Sequence, residues 1–276
     1  MSIFDQMIAR YQIKTNDDYI NAQHEVMQQI ALAGLYRGGF FKNAAFYGGT
    51  CLRIFHGSQR FSEDMDFSLI KADAGFSLEN YFEAVVNEFK ALGRDVVITK
   101  KQKKSKTNVE SAFLKDDTAI YNLQFRTERR IKIKIEVDIN PPSGFLTENK
   151  LLLLPFSFMT LCYTLSDLYA GKMHAFLFRN WKNRVKGRDW YDFEWYVRNQ
   201  IALNFDHFCQ RTKQFGSSDQ ELTPENFRKL LKEKISKTNI ELVKADVRPF
   251  IKNPGELDIW TTEYFIQLVN MIRFKS

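Results

Sequence analysis

Apolar side chains recur at three- and four-residue steps from Ile3 to Leu35, first as Phe4, Ile8 and Tyr11, then as Tyr19, Ala22, Val26, Ile30 and Ala33. This spacing predicts two helices, the second capped by Asn16 or Asp17. Phe40–Tyr47 leads into a glycine pair, Gly48 and Gly49, read as a turn before a short helix over Leu52–Phe55. Met65–Leu69 reads as a strand, and Leu78–Leu92 as a helix with Tyr81, Phe82, Val85, Phe89 and Leu92 on one stripe. Three β-like stretches follow: Asp95–Lys100, Ser111–Leu114 with Ile120–Arg126, and Ile131–Ile139. The last alternates most regularly, with Ile131, Ile133, Ile135, Val137 and Ile139 against Lys132, Lys134, Glu136, Asp138 and Asn140.

Pro141-Pro142 and Leu151–Pro155 read as a linker, and beyond it the pattern is helical. One helix, capped by Ser166 or Asp167, runs to about Asn180, and another starts near Arg188. About four more lie between Leu203 and Phe274, one with Thr223 as cap and Pro224 in its first turn. This order indicates an α+β protein: N-terminal helices and a core of strands and helices over residues 1–150, then a mainly helical domain over residues 151–276.

Composition supports buried cores, with 276 residues of which 44% are hydrophobic, and 25 phenylalanines beside six prolines exclude a disordered chain. The longest apolar run, Leu151–Phe158, is interrupted by Pro155 and falls far short of the roughly 20 residues a membrane-spanning helix takes. The charged start MSIFDQMIARYQ is unlike a secretory signal, and Cys51, Cys162 and Cys209 suit a reducing compartment, so the expected location is the cytoplasm. A formal charge of +7 favours polyanionic partners such as nucleotides or nucleic acid. The run Lys100–Lys106 is either a solvated hairpin tip or a contact to a phosphate backbone. Trp181 and Trp190, set among Arg and Lys, are either core residues or platforms for bases.

The candidate chemistry centres on Gly48-Gly49-Thr50 and Asp64-Met65-Asp66. With Met65 and Phe67 turned to a core, both aspartates face the other way. Two such carboxylates repel unless a cation lies between them, and hard cations with oxygen ligands, Mg²⁺ above all, fill that place. The glycines let backbone N–H groups approach phosphate oxygens. Glu136 and Asp138 share the polar face of their strand, which supplies a third carboxylate if it lies beside the first strand. Otherwise that face is solvated, with Lys132 and Lys134 pairing to acidic neighbours. Lys172 falls on a stripe with Leu168, Tyr169, Phe176 and Arg179, where it either snorkels or reaches toward a triphosphate. Asp189 and Asp192 lie three apart, and Arg188 is placed to pair with Asp192 along a helix. His24, His56, His174 and His207 show no metal-ligand spacing.

Glycine, a small hydroxyl and then two acids resembles the signature of the polymerase-β-type nucleotidyltransferase superfamily. The wording GGTCLRIF with RFSEDMDF is similar to the AbiEii/AbiGii-type nucleotidyltransferase toxins, as are IKIEVDINPP (Ile133–Pro142), DLYAGKMHA (Asp167–Ala175) and KGRDWYDF (Lys186–Phe193). The likeness spans about Phe46 to Tyr196 and implies a polymerase-β-like core, a mixed sheet with flanking helices. It implies Asp64, Asp66 and Asp138 as metal ligands, with Glu136 second to Asp138, and Mg²⁺ (or Mn²⁺) as the metal. Gly48, Gly49, Thr50 and Lys172 would bind the nucleotide. Asp192 would be a site acid positioning Lys172 or the acceptor hydroxyl. Arg60, Ser62, Arg188 and Asp189, within the matching stretches, are further candidates. The implied activity is transfer of a nucleoside monophosphate from an NTP to an acceptor, RNA such as tRNA, in a toxin–antitoxin or phage-defence setting with an antitoxin partner. Two other readings share these residues: a metal-dependent nuclease, and a non-catalytic nucleotide- or RNA-binding protein.

Overall fold

The computed structural model describes residues 1–100, 118–125, 131–179, 185–216 and 222–275. They form two compact units. The first comprises Met1–Phe55, Ser62–Pro141 and Thr147–Cys162, the second His56–Phe61, Pro142–Leu146 and Tyr163–Ser276.

In the first unit, α1 (Ile3–Ile8) and α2 (Asn16–Arg37) precede β1 (Ala44–Tyr47), α3 (Gly48–His56), β2 (Asp64–Leu69) and α4 (Phe82–Ala91). The strands β3 (Val96–Lys100), β4 (Thr118–Phe125), β5 (Lys132–Asp138), β6 (Thr147–Leu152) and β7 (Phe158–Tyr163) complete a sheet of order β3-β4-β5-β2-β1-β7-β6. β2 runs antiparallel to β1 and parallel to β5, so the sheet is mixed. Met65, Phe67, Ile133, Ile135 and Val137 are at most 1% exposed, as the alternation requires. Phe67 also holds an edge-to-face contact with Phe40 at 5.0 Å.

Several boundaries differ from expectation. Thr15, not Asn16 or Asp17, caps α2: its hydroxyl accepts from Asp18 N–H while the Asp18 carboxylate accepts from Thr15 N–H. Gly48-Gly49 is not a turn before a helix but the first turn of α3 itself. The expected linker Leu151–Pro155 overlaps β6, and β7 follows it, so a division at 150/151 falls inside a strand. β6 is an edge strand of the sheet and is half or fully exposed along its length, so its pattern carries little apolar alternation. The stretch Ser111–Leu114 and the lysines after Lys100 lie outside the described residues.

The second unit contains α5 (Leu165–Phe178), α6 (Gly187–Arg198), β8 (Ala202–Leu203), α7 (Phe205–Gln214), α8 (Pro224–Ser236), α9 (Ile240–Val247), α10 (Thr262–Asn270) and β9 (Arg273–Phe274). The four helices after Leu203 and the Thr223 cap match the periodicity. The parallel β8–β9 pair does not, because two residues are too few to show alternation. Thr164 rather than Ser166 or Asp167 occupies the cap position of α5. Asp167 is fully buried instead, accepting from the Thr164 hydroxyl, from Leu146 N–H at 3.1 Å and from the Asn204 amide at 2.7 Å. Trp190 is a core residue, 4% exposed, with Phe176 and Phe265 both at 4.8 Å, so it offers no ring to a base. Trp181 lies outside the described residues. Among the described residues no helix is long and apolar enough to cross a membrane.

Candidate active site

The parallel pairing of β2 with β5 sets Asp64 beside Lys134, Asp66 beside Glu136 and Ser68 beside Asp138. All six side chains leave one face of the sheet, because their neighbours in sequence fill the core on the other. Glu136 stands directly beside Asp66, whereas Asp138 is across from Ser68, 9% exposed, with its Oδ1 accepting from Asn140 N–H at 3.1 Å. Among the described residues no three His, Cys, Asp or Glu side chains are gathered tightly enough to make a complete metal cage. What the face does hold is a cation. Lys134 Nζ lies 2.8 Å from Glu136 Oε1 and 3.4 Å from Asp64 Oδ2. Burial alone would lower the pKa of this ammonium, but Glu136, then Asp64 and Asp66, reverse the effect and raise it. The carboxylate oxygens that favour this ammonium are also the donor type that a hard divalent cation such as Mg²⁺ or Mn²⁺ takes.

The glycine motif borders the same acids. Tyr47 pairs with Asp66 across β1 and β2, so α3 begins where the Asp66 side chain emerges. Gly48 takes φ +80°, and a Cβ there would fall 2.3 Å from Asp66 Oδ2 and 3.0 Å from its Cγ. Only glycine allows this backbone and this approach together. Gly48 and Gly49 are half-buried, and the first turn of a helix directs N–H groups toward an anion. Thr50, expected to meet phosphate, is fully buried and donates its hydroxyl to the Asp64 carbonyl. Its side chain anchors the acidic strand to α3. The Ser62 and Glu63 carbonyls accept from Gln28 Nε2 at 3.0 and 3.1 Å, which ties the approach to β2 onto α2.

The other candidates assemble within the second unit. Lys172 Nζ lies 2.7 Å from Asp189 Oδ1 and 2.8 Å from Asp192 Oδ2. Arg60 grips Asp192 through Nε and Nη2 at 2.5 and 2.6 Å. The helical Arg188–Asp192 pair is thus replaced by longer-range partners, and Arg188 lies instead over the Phe250 ring at 4.1 Å. Burial pushes the Asp189 carboxyl up, but Lys172, Arg179 and Lys186 outweigh it and hold it at about 2. Against burial, Arg60 and then Lys172 likewise keep Asp192 below its ordinary range. Lys186 is brought down to about 8 by burial, with repulsion from Arg179, Arg188 and Lys172 added and Asp189 opposing. Gly187, which opens α6, packs so close to α9 that a Cβ would lie 2.2 Å from the Val243 carbonyl oxygen. Its N–H donates to Asp246 Oδ2 at 2.8 Å. The pairing of Lys134 with Asp64 and Glu136 is the alternative that the alternation of β5 left open. Sequence reasoning missed Arg60 as the partner of Asp192, which nothing local signals.

A family profile described as nucleotidyl transferase AbiEii toxin, type IV TA system, matches residues 30–265. No curated protein sequence gives a significant match. Among solved structures, JHP933 from Helicobacter pylori aligns over 91% of this chain and 90% of its own, at 16% identity and TM-score 0.50. MenT4, a nucleotidyltransferase toxin from Mycobacterium tuberculosis H37Rv, aligns over 90% of this chain and 74% of its own, at 17% identity and TM-score 0.47. At 16% identity the likeness to JHP933 concerns the fold alone.

Proposed function

The chain belongs to the AbiEii nucleotidyltransferase toxin family and is a nucleotidyltransferase, and from that premise we propose that it moves a nucleoside monophosphate from an NTP to a hydroxyl of RNA, such as tRNA. The observation that carries this reading is the convergence of Asp64 and Asp66 on one face of β2, with Gly48 and the start of α3 packed against Asp66. Asp64, Asp66 and Glu136 would hold Mg²⁺, with Asp138 one pleat further along β5. When bound, the metal lowers the pKa of the attacking hydroxyl and neutralises the leaving phosphates. The N–H groups of Gly48 and Gly49 would hold phosphate oxygens, with Thr50 bracing them from within through its bond to the Asp64 carbonyl. The acceptor oxygen bonds to the α-phosphorus, the bond to the β-phosphate oxygen breaks, pyrophosphate leaves with the electron pair, and the hydroxyl proton passes to solvent. Lys172, by its likeness to the lysine of the family's DLYAGK segment, offsets charge on the pyrophosphate, and Asp189 and Asp192 orient its ammonium. The biological role is that of a toxin restrained by a cognate antitoxin, acting in the cytoplasm and in defence against phage.

The test is incubation of the purified protein with Mg²⁺, total bacterial RNA and each α-labelled NTP in turn. Asp66→Asn, Glu136→Gln and Asp138→Asn are run alongside. Label on RNA that is lost with Asp66→Asn supports the transferase and names the nucleotide. RNA shortened without label makes the protein a nuclease. NTP binding with neither outcome leaves a binding protein. Comparison of Glu136→Gln with Asp138→Asn identifies the third carboxylate.

A further inference from the structure

Lys134 takes no part in the reaction just described, yet it occupies the centre of the proposed metal face. Its Nζ bridges Glu136 on its own strand and Asp64 on the next, at 2.8 and 3.4 Å. The register brings these side chains together: Lys134 and Glu136 are two residues apart on β5, on the same face, and Asp64 is the cross-strand neighbour of Lys134. The three side chains are about equally accessible, at 33%, 29% and 36%, so the ammonium can leave without opening the core.

We propose that Lys134 is a tethered counter-ion that competes with the divalent metal for the carboxylates of Asp64 and Glu136, and so keeps the site from loading with metal in the absence of nucleotide. This rests on the functional reading above, in which those acids hold the metal. An ammonium and a divalent cation seek the same oxygens, and both cannot sit among them. When a triphosphate enters, its oxygens offer the displaced ammonium a new partner, so the lysine yields more readily to metal that arrives with nucleotide. The lysine thereby makes metal loading depend on nucleotide, a positioning role and not a catalytic one.

The experiment uses the full chain and Mn²⁺ alone, with free Mn²⁺ followed by electron paramagnetic resonance. Lys134→Met removes the competing charge and should tighten Mn²⁺ binding about tenfold or more. Lys134→Arg retains the charge and should stay near the unsubstituted protein. Asp64→Asn should abolish the site. A Lys134→Met protein that is folded by circular dichroism but binds Mn²⁺ no more tightly overturns the competitor role while leaving the transferase reading intact. Mn²⁺ binding indifferent to Asp64→Asn overturns both. If Lys134→Met fails to fold, Lys134→Gln is judged by the same criterion.

Discussion

Arg60 and Asp192, 132 residues apart in the chain, form a two-point ion pair, with neither side chain more than 3% exposed. The guanidinium satisfies both carboxylate oxygens, a geometry that lysine cannot reproduce. Arg60→Met leaves Asp192 buried with Lys172 as its remaining partner in the pair. Loss of one member of such a pair costs about 3–5 kcal/mol, and we expect a loss of that order in denaturant unfolding. Transfer normalised to the folded fraction separates this loss from any effect through Lys172, which shares Asp192 with Arg60.

Gly48 and Gly171 make a controlled contrast. Gly48→Ala places a methyl group on the Asp66 carboxylate in a backbone conformation alanine avoids. It should cost about 1–3 kcal/mol and reduce label transfer at least tenfold. Gly171, inside α5, has nothing within 4 Å of a would-be Cβ. Gly171→Ala should leave transfer unchanged and raise stability by about 0.4–1 kcal/mol, read from paired unfolding curves and label assays.

Lys172 balances two buried acids at once, so its removal has two effects. Lys172→Met should lower stability by about 1–3 kcal/mol, because Asp189 keeps only its more distant cations. Transfer should fall further than this loss of folded protein explains. An assay normalised to the folded fraction separates the two effects, and normalised transfer equal to that of the unsubstituted protein would remove Lys172 from the reaction.

His207 sets a pH limit on stability. Burial first, then Arg211, hold its imidazole at about 4 from an ordinary 6.5, against the opposing pull of the Ser143 carbonyl 3.2 Å from Nδ1. The unfolded chain therefore takes up a proton below pH 6.5 that the folded chain refuses. Stability is full above that pH and falls as pH drops toward 4, by up to about 3 kcal/mol. Thermal melts across this range should show a shallower slope for His207→Gln. Some slope should remain, because burial lowers the His24 pKa in the same direction.

What the chain determined alone was local. The alternation of β5 and the face shared by Asp64 and Asp66 repeat with the period of one strand, and a single sequence carries that period, as it carries the Thr223 cap of α8. The order Gly48-Gly49-Thr50 followed by Asp64 and Asp66 also marked the candidate site before any fold was known. Tertiary structure decided what depends on partners distant in the chain. The β2–β5 register placed Glu136 rather than Asp138 beside Asp66 and set Lys134 between Asp64 and Glu136. Strands β6 and β7 went unseen because the apolar run between them, broken by Pro155, looked like a linker, and β7 joins the sheet through β1, more than a hundred residues earlier in the chain. Asp192 looked like half of a helical pair with Arg188 and instead found Arg60, because a buried carboxylate takes the cation that can reach both its oxygens away from water. Periodicity tells which way a side chain points, and only the folded chain brings it to what it meets.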